Sequence, residues 1–197
     1  MDKFAKALPL AFLLFGVLTG RPASALTPGE QLQGAVQQVL SVVKDPVSSE
    51  AQRKKLLRQT LMPVFDWGEM AKQALGKNWA LAAGRENEFI AAFAEFLGNS
   101  YAGTIGSYKD EKIVFIRESI DKDRAQVNTQ IIPSKGDPTS VNYRLHLVQG
   151  EWKVYDVVIE DISLVVNFRS QFSRILAKGS FEDLLRQLRE REFRSQD

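Results

Sequence analysis

Few side chains in this sequence have the types and spacing that catalysis or metal binding requires. His146 is the one histidine, and the chain has no cysteine, so a conventional zinc site of imidazole and thiolate ligands is excluded. His146 falls on the polar phase of an alternating segment, between Leu145 and Leu147, which predicts a surface histidine. The sequence contains neither a glycine-rich phosphate loop ahead of a helix nor a G-x-S-x-G nucleophile elbow.

The carboxylates have structural explanations. Asp66 and Glu69 stand three residues apart at a predicted helix start, where they would cap the helix and complement its dipole. Asp156 shares the apolar phase of Val154, so it should face the core and need a partner. Arg169 is the candidate partner, and we favour a structural ion pair over an acid catalyst.

The N-terminus has the pattern of a secretory signal peptide. Lys3 and Lys6 precede the apolar run Leu10–Leu18, and a small-x-small site ends at Ala25. The run is about half of the roughly 20 residues that span a bilayer, and no cysteine follows it for a lipoprotein anchor. We therefore expect residues 1–25 to be removed on export, leaving a mature domain over 26–197.

Processing would also change the charge balance. Residues 26–197 carry 23 basic and 23 acidic side chains, so the mature chain has no net charge. Nucleic-acid binding needs a concentrated basic face, and this composition argues against a nucleic-acid partner.

The first half of the chain has helical periodicity. Breaks at Asp45-Pro46, Met62-Pro63 and Gly76 separate the predicted helices. Gly98, Gly103 and Gly106 should weaken or bend the longest predicted helix, Arg85–Tyr108. The predicted helices cover Leu26–Val43, a segment capped by Ser48-Ser49 and ending near Leu61, a segment capped by Asp66 and ending at Gly76, and Arg85–Tyr108.

The second half alternates in strand fashion and then returns to helix. A turn-rich Pro133–Pro138 loop and a tight Gln149-Gly150 hairpin connect the strands. Short connections imply an antiparallel sheet, so we predict an α+β fold in which helices pack a curved sheet of about four strands around an apolar pocket. The predicted strands are Lys112–Glu118, Asp123–Ile132, Val141–Leu147 and Trp152–Ile159, and two helices follow over Asn167–Lys178 and Ser180–Phe193.

Between Leu61 and Leu188 the chain resembles the MlaC family, also called the toluene-tolerance Ttg2 family. Three stretches carry the resemblance: MPVFDWGEMAKQALGKNW, FAEFLGNSYAGTIGSY and EWKVYDVVIEDISLVVNFRSQFSRIL. The last is the most specific, because Trp152 to Asp156 leads in order to Ser163-Leu164 and then to the Asn167–Phe172 segment. Two positions depart from the family pattern: Asp161 stands where glycine is usual, and Phe168 stands where tyrosine is usual.

The resemblance implies a periplasmic phospholipid shuttle of the Mla pathway, which maintains outer-membrane lipid asymmetry. It implies an NTF2-like fold with a deep apolar pocket for acyl chains, a head group near solvent, and no catalytic residue, metal or cofactor. The implied partners are phospholipid, an inner-membrane ABC transporter complex with an MCE-domain protein, and an outer-membrane lipoprotein complex. The side chains that we expect to line the pocket are Phe65, Met70, Trp79, Phe89, Phe93, Tyr101, Val127, Tyr143, Leu145, Val154, Ile162, Val165, Phe168 and Phe172.

Two other functions remain open from the residues alone. An enzyme on an NTF2-like scaffold would act on a small apolar substrate and would need converging polar groups, for which Asp156, Tyr143 and Tyr155 are the candidates. A periplasmic adaptor that binds no lipid would instead have a filled core.

Overall fold

The structure, a computed structural model, describes residues 26–106, 108 and 110–190. The predicted signal peptide and the last residues of the final predicted helix lie outside this range. Six α-helices occur in the described part of the chain: α1 (Pro28–Val43), α2 (Glu50–Leu61), α3 (Trp67–Leu75), α4 (Glu86–Gly106), α5 (Leu164–Lys178) and α6 (Phe181–Glu190). A 3₁₀ helix covers Gly76–Ala82. The strands are β1 (Lys112–Asp121), β2 (Arg124–Ile132), β3 (Thr139–Val148), β4 (Glu151–Ile159) and β5 (Ile162–Ser163).

The helices begin and end where local chemistry predicts. Thr27 and Ser49 each form a capping box at the start of α1 and α2. Asp66 caps α3, where its Oδ1 accepts a hydrogen bond of 2.8 Å from the Glu69 backbone N–H. Gly76 ends α3 with φ +55°, a conformation that glycine adopts without steric cost. No helix within the described residues is both long enough and apolar enough to cross a membrane.

The strands form one antiparallel meander in the order β1-β2-β3-β4-β5, which confirms the predicted α+β fold. Gln149 and Gly150 both have positive φ, +51° and +87°, as a two-residue hairpin turn requires. The fifth strand, only two residues long, pairs with the end of β4 and was not predicted.

A bulge in β4 changes which of its residues share a face. Arg144 pairs with Asp156 and Leu145 pairs with Val154, so Tyr155 has no partner on β3. Consecutive residues of a strand point to opposite faces, which puts Asp156 and Val154 on opposite faces. The prediction that these two share a phase is therefore wrong, although both are buried.

The buried apolar side chains form two clusters instead of one continuous core. The helical cluster comes from α3, α4, α5 and α6 and includes Met70, Leu75, Phe89, Phe93, Phe96, Val165, Phe168, Phe172, Leu184 and Leu188. The sheet cluster comes from α1 and the sheet and comprises Leu32, Ala125, Val127, Leu145, Trp152 and Val154. Phe65 packs against both clusters.

The edge of β4 fastens the helices to the sheet. The Gln31 side chain donates to the Trp152 carbonyl and accepts from the Trp152 backbone N–H, at 2.8 and 3.0 Å. Val154 donates to the Val64 carbonyl at 3.0 Å, and its own carbonyl accepts from Asp66 N–H at 2.8 Å. These bonds satisfy the polar backbone of β4, which an uncovered edge strand would expose, and they hold Phe65 between the two clusters.

Candidate functional site

Most of the side chains predicted to line the pocket are completely enclosed by protein. Nine of the fourteen are at most 5% exposed. Six of the nine belong to the helical cluster: Met70, Phe89, Phe93, Val165, Phe168 and Phe172. The other three belong to the sheet cluster: Val127, Leu145 and Val154.

The helical members pack ring against ring. Phe93 lies 5.5 Å from Phe168 and 5.6 Å from Phe172 between ring centroids. Phe89 lies 5.8 Å from Phe172, and Phe96 lies 5.6 Å from Phe168. All four contacts are edge-to-face, the geometry that aromatic pairs prefer. These rings therefore pack against one another within the helical cluster, and Phe168 contacts Phe93, Phe96 and Phe172 there.

The other five predicted residues keep more contact with solvent. Phe65, Trp79 and Tyr101 are half-buried against the helical cluster, and Tyr143 is half-buried against the sheet cluster. Ile162 is 63% exposed on β5 and belongs to neither cluster.

Tyr143 and Tyr108 bring the end of the α4 segment to the sheet. Burial and the nearby Tyr108 raise the pKa of Tyr143 to about 12, and a hydrogen bond with Thr129 offsets part of that rise. Burial, followed by the charge of Glu111, raises the pKa of Tyr108, and burial raises that of Tyr101. These phenols are therefore neutral at physiological pH, which suits contact with an uncharged ligand.

Several residues of this region were not predicted. Phe115 and Val157 are half-buried beside the sheet cluster, and Val157 pairs with Tyr143 across the β3–β4 ladder. The bulge at Tyr155 gives Val157 this face, so strict alternation could not find it. Phe115 carries no such signal either, because its neighbours Val114 and Ile116 are also apolar and only the structure shows that they are exposed.

We define the cluster boundary as six half-buried apolar and aromatic residues at the margins of the two clusters. Phe65 packs against both clusters and Tyr101 against the helical cluster, while Phe115, Tyr143 and Val157 pack against the sheet cluster. Tyr108 lies near Tyr143. The six residues are less buried than core residues and less exposed than ordinary surface residues. The members are Phe65, Tyr101, Tyr108, Phe115, Tyr143 and Val157.

Two surface cavities lie elsewhere. A groove of about 450 Å³ is lined mainly by polar residues of β1, β2 and β3, including Arg117, Gln126, Asn128 and Asn142. These residues alternate with those of the sheet cluster and so occupy the other face. A cleft of about 90 Å³ lies between α4 and α6.

Asp156 is completely buried and satisfied by three donors. Its Oδ2 accepts from Arg144 Nη1 at 2.9 Å and from Ser163 Oγ at 2.7 Å. Its Oδ1 accepts from the Val165 backbone N–H at 3.1 Å, at the start of α5. The carboxylate therefore anchors α5 to the sheet, because a buried charge must be paired and hydrogen-bonded.

Two predictions about polar residues are wrong. Arg169 does not pair with Asp156, since its Nε donates to the Gln73 carbonyl at 2.7 Å. The side chain of His146 is only 14% exposed, and its Nε2 lies 2.9 Å from Asp66 Oδ2. The edge of the Tyr155 ring also contacts the imidazole, with centroids 5.3 Å apart. His146 thus joins β3 to the cap of α3.

The three candidate catalytic groups do not converge. Asp156 faces away from Tyr143, because Tyr143 pairs with Val157 and Asp156 pairs with Arg144. Tyr155 is occupied by His146 and by the Arg124 guanidinium, 4.9 Å from its ring centroid. Among the described residues, no group of three histidine, cysteine, aspartate or glutamate side chains could hold a metal ion.

Comparison with known proteins agrees with this architecture. The chain is 25% identical over 192 residues to an intermembrane phospholipid transport system binding protein MlaC of Haemophilus influenzae, covering 92% of this chain and 90% of that protein. It is 26% identical over 184 residues to toluene tolerance protein ttg2D of Pseudomonas putida, covering 88% and 83%. A phospholipid-binding protein of Ralstonia solanacearum, solved in complex with a phospholipid, superposes with a TM-score of 0.73 at 24% identity, covering 82% of this chain and 94% of that one. The model of the MlaC protein family matches residues 33–190, and the chain therefore belongs to the MlaC family.

Proposed function

We propose that this protein is a periplasmic phospholipid carrier that receives acyl chains along the cluster boundary. The observation that carries the proposal is the division of the apolar interior into two clusters, with half-buried rings at their margins and Phe65 packed against both. A small domain ordinarily has one contiguous core. Membership of the MlaC family, the name of the Haemophilus influenzae relative and the phospholipid complex of the Ralstonia solanacearum protein support phospholipid as the ligand.

The physical task of such a carrier is to keep acyl chains out of water. Exposing one methylene group to water costs about 0.8 kcal/mol. Two acyl chains together contain roughly thirty such groups, so exposing both chains costs on the order of 20 kcal/mol. Protein side chains that replace the bilayer around these chains remove most of that barrier. No bond is made or broken, so the carrier needs no catalytic group.

Acyl chains would enter by separating the two clusters. A dry cavity costs about 24 cal/mol of stability per Å³. A permanently open pocket of about 1,000 Å³ is at the upper end for ligand sites. The free-energy cost of such a pocket would exceed the free energy of unfolding of a typical domain. A boundary that opens as lipid enters avoids this cost. The raised pKa values of Tyr101, Tyr108 and Tyr143 keep these phenol groups neutral, so the movement would bring no charge against the acyl chains.

The family also suggests where the carrier acts. We propose that residues 1–25 direct export and are removed, and that the mature chain exchanges lipid with an inner-membrane MCE-domain transporter complex and an outer-membrane lipoprotein complex. The intact mass of periplasmic protein tests the first point. We expect the mass of residues 26–197, and a mass that retains residues 1–25 would contradict the proposed processing.

Native mass spectrometry of the mature protein, purified without added lipid, tests the carrier function. We expect adducts with phospholipid masses, which tandem spectra and organic extraction should identify. A second arm measures transfer of labelled phospholipid between two vesicle populations, and the protein should accelerate it. A folded protein that neither retains phospholipid nor accelerates transfer would contradict the proposal and favour an adaptor, whereas chemical conversion of the lipid would favour an enzyme.

A further inference from the structure

Helix α2 has a basic outer face to which the proposed carrier function assigns no role. Leu57 of α2 is 2% exposed and faces the protein. Lys55, Arg58 and Met62 follow one another at intervals of three and four residues on the opposite side, so they form one stripe along the helix. All three are exposed.

The charge of this region differs from that of the chain as a whole. Positions 44–62 contain five basic and two acidic residues, whereas positions 26–197 contain equal numbers of each. Both acids are occupied locally: Asp45 Oδ1 accepts from Val47 N–H at 2.9 Å, and Glu50 pairs with Lys54 at 2.7 Å. In the part of the chain that the structure describes, Lys55 and Arg58 have no carboxylate within salt-bridge distance.

Apolar side chains accompany these charges. Val47 is 88% exposed in the turn before α2, Leu56 is 38% exposed on its flank, and Met62 is 39% exposed at its C-cap. A cluster of basic side chains is attracted to an anionic membrane surface, and exposed apolar side chains beside it can add to that contact. The long stems of lysine and arginine can follow apolar surface while their charged ends remain among head groups.

The position of α2 relates this face to the cluster boundary. Helix α2 packs against α1 and against α4. Helix α1 contributes Leu32 to the sheet cluster, and α4 contributes Phe89 and Phe93 to the helical cluster. A surface that contacts α2 would therefore lie beside both of the layers that must separate.

We propose that α2 and the preceding turn, residues 44–62, form a docking surface for an anionic phospholipid bilayer. The charge complementarity with acidic head groups and the exposed Val47, Leu56 and Met62 carry this inference. It rests on the proposed carrier function, because docking at α2 would hold the cluster boundary close to the membrane whose complex gives or receives the lipid. The contact is weak and depends on salt, as suits a carrier that must leave again.

Vesicle flotation of the mature protein tests the docking surface. The probes are phosphatidylcholine vesicles with and without phosphatidylglycerol, at low salt and at high salt. We expect binding only to the anionic vesicles and only at low salt. Lys54→Glu/Lys55→Glu/Arg58→Glu should weaken that binding about 100-fold or more, given the contribution of each basic residue near an anionic surface.

Matched variants separate this surface from a general effect of net charge and from the carrier function. Lys122→Glu/Lys135→Glu alters exposed lysines in two sheet turns and should cause a much smaller loss, while Met62→Asp should weaken binding without removing a cation. Native mass spectrometry should find bound phospholipid in every variant. A wild-type protein without bound phospholipid would contradict the carrier function but not membrane docking. Equal flotation of the wild type with neutral and anionic vesicles, or an unchanged triple variant, would overturn the docking surface, even if α2 then proved to bind an acidic protein.

Discussion

The turn after β4 places two side-chain-bearing residues in a conformation that favours glycine. Glu160 has φ +47° and Asp161 has φ +65°, and this left-handed conformation is strained for residues other than glycine. The turn therefore forms at a cost in stability.

We predict that Asp161→Gly raises the free energy of unfolding by about 0.5–1 kcal/mol, because glycine adopts positive φ without steric cost. Urea denaturation followed by circular dichroism measures the change. Asp137→Gly in the loop between β2 and β3 is the control, because Asp137 does not have positive φ, and it should not be stabilised. Equal changes in the two variants would contradict this explanation.

His146 connects two elements but lies outside the cluster boundary. We predict that His146→Ala lowers the free energy of unfolding by about 1 kcal/mol, the net value of a lost hydrogen bond, and leaves the phospholipid content unchanged. Denaturation and lipid extraction on the same preparation measure both quantities. A folded variant without lipid would contradict the assignment of His146 to a structural role.

These residues also show where prediction from the sequence stops. The capping roles of Thr27, Ser49 and Asp66 involve backbone groups within three residues, and such roles can be identified locally. The true partners of Asp156 and His146 lie on other elements of the fold. Asp156 is buried, but on the face opposite to Val154, and its pairing with Arg144 instead of Arg169 depends on a strand register that the sequence does not specify.

Among the elements, α4 and α6 are joined by a charged network on their exposed sides. Glu88 on α4 accepts from Arg85 Nε at 2.6 Å and from Arg189 of α6. The hydrogen bond from Arg85, followed by that from Arg189, lowers the pKa of Glu88 to about 2. A carboxyl whose folded-state pKa is lowered stabilises the fold above its unfolded pKa and loses that contribution as pH falls towards the folded pKa.

We therefore predict that Glu88→Gln is less stable than the wild type at neutral pH and that the difference shrinks between about pH 5 and pH 2. The thermal unfolding midpoint across this pH range measures it. Glu95→Gln, on an exposed part of the same helix, should show no comparable convergence. A difference between wild type and Glu88→Gln that stays constant down to pH 2 would contradict the role of this network.

Among features of the helices and strands, the bulge in β4 changes the site most. It places Val157 beside Tyr143 and moves Asp156 to the other face, whereas simple alternation predicts the reverse. A bulge depends on how two strands align, so neither strand alone reveals it. Helix limits, by contrast, could be predicted to within a few residues, because periodicity and caps are local properties.

At the scale of the whole molecule, the apolar stripe of α4 packs within the helical cluster in this structure. Its periodicity correctly predicted that Phe89 and Phe93 would be covered, but periodicity does not say whether protein or ligand covers a side chain. Both rings are completely buried among other phenylalanines. A charge at Phe93 should therefore unfold the protein, and the account of lipid binding depends on the cluster boundary instead.

Tyr143 provides the matched comparison for that account. Tyr143 and Leu147 lie on the same face of β3, four residues apart, but Tyr143 belongs to the cluster boundary while Leu147 is 42% exposed near the end of the strand. A carboxylate at the boundary would face acyl chains without a partner, and such a charge is costly in apolar surroundings. A carboxylate at position 147 would remain in water.

The most direct test is the amount of phospholipid that copurifies with Tyr143→Asp and with Leu147→Asp, measured by native mass spectrometry and organic extraction. Phe115→Asp serves as a second boundary variant, and circular dichroism selects the folded proteins. We predict that the folded boundary variants lose most of the bound phospholipid, whereas Leu147→Asp retains as much as the wild type. A full complement of phospholipid in folded Tyr143→Asp and Phe115→Asp would show that acyl chains do not lie along the cluster boundary.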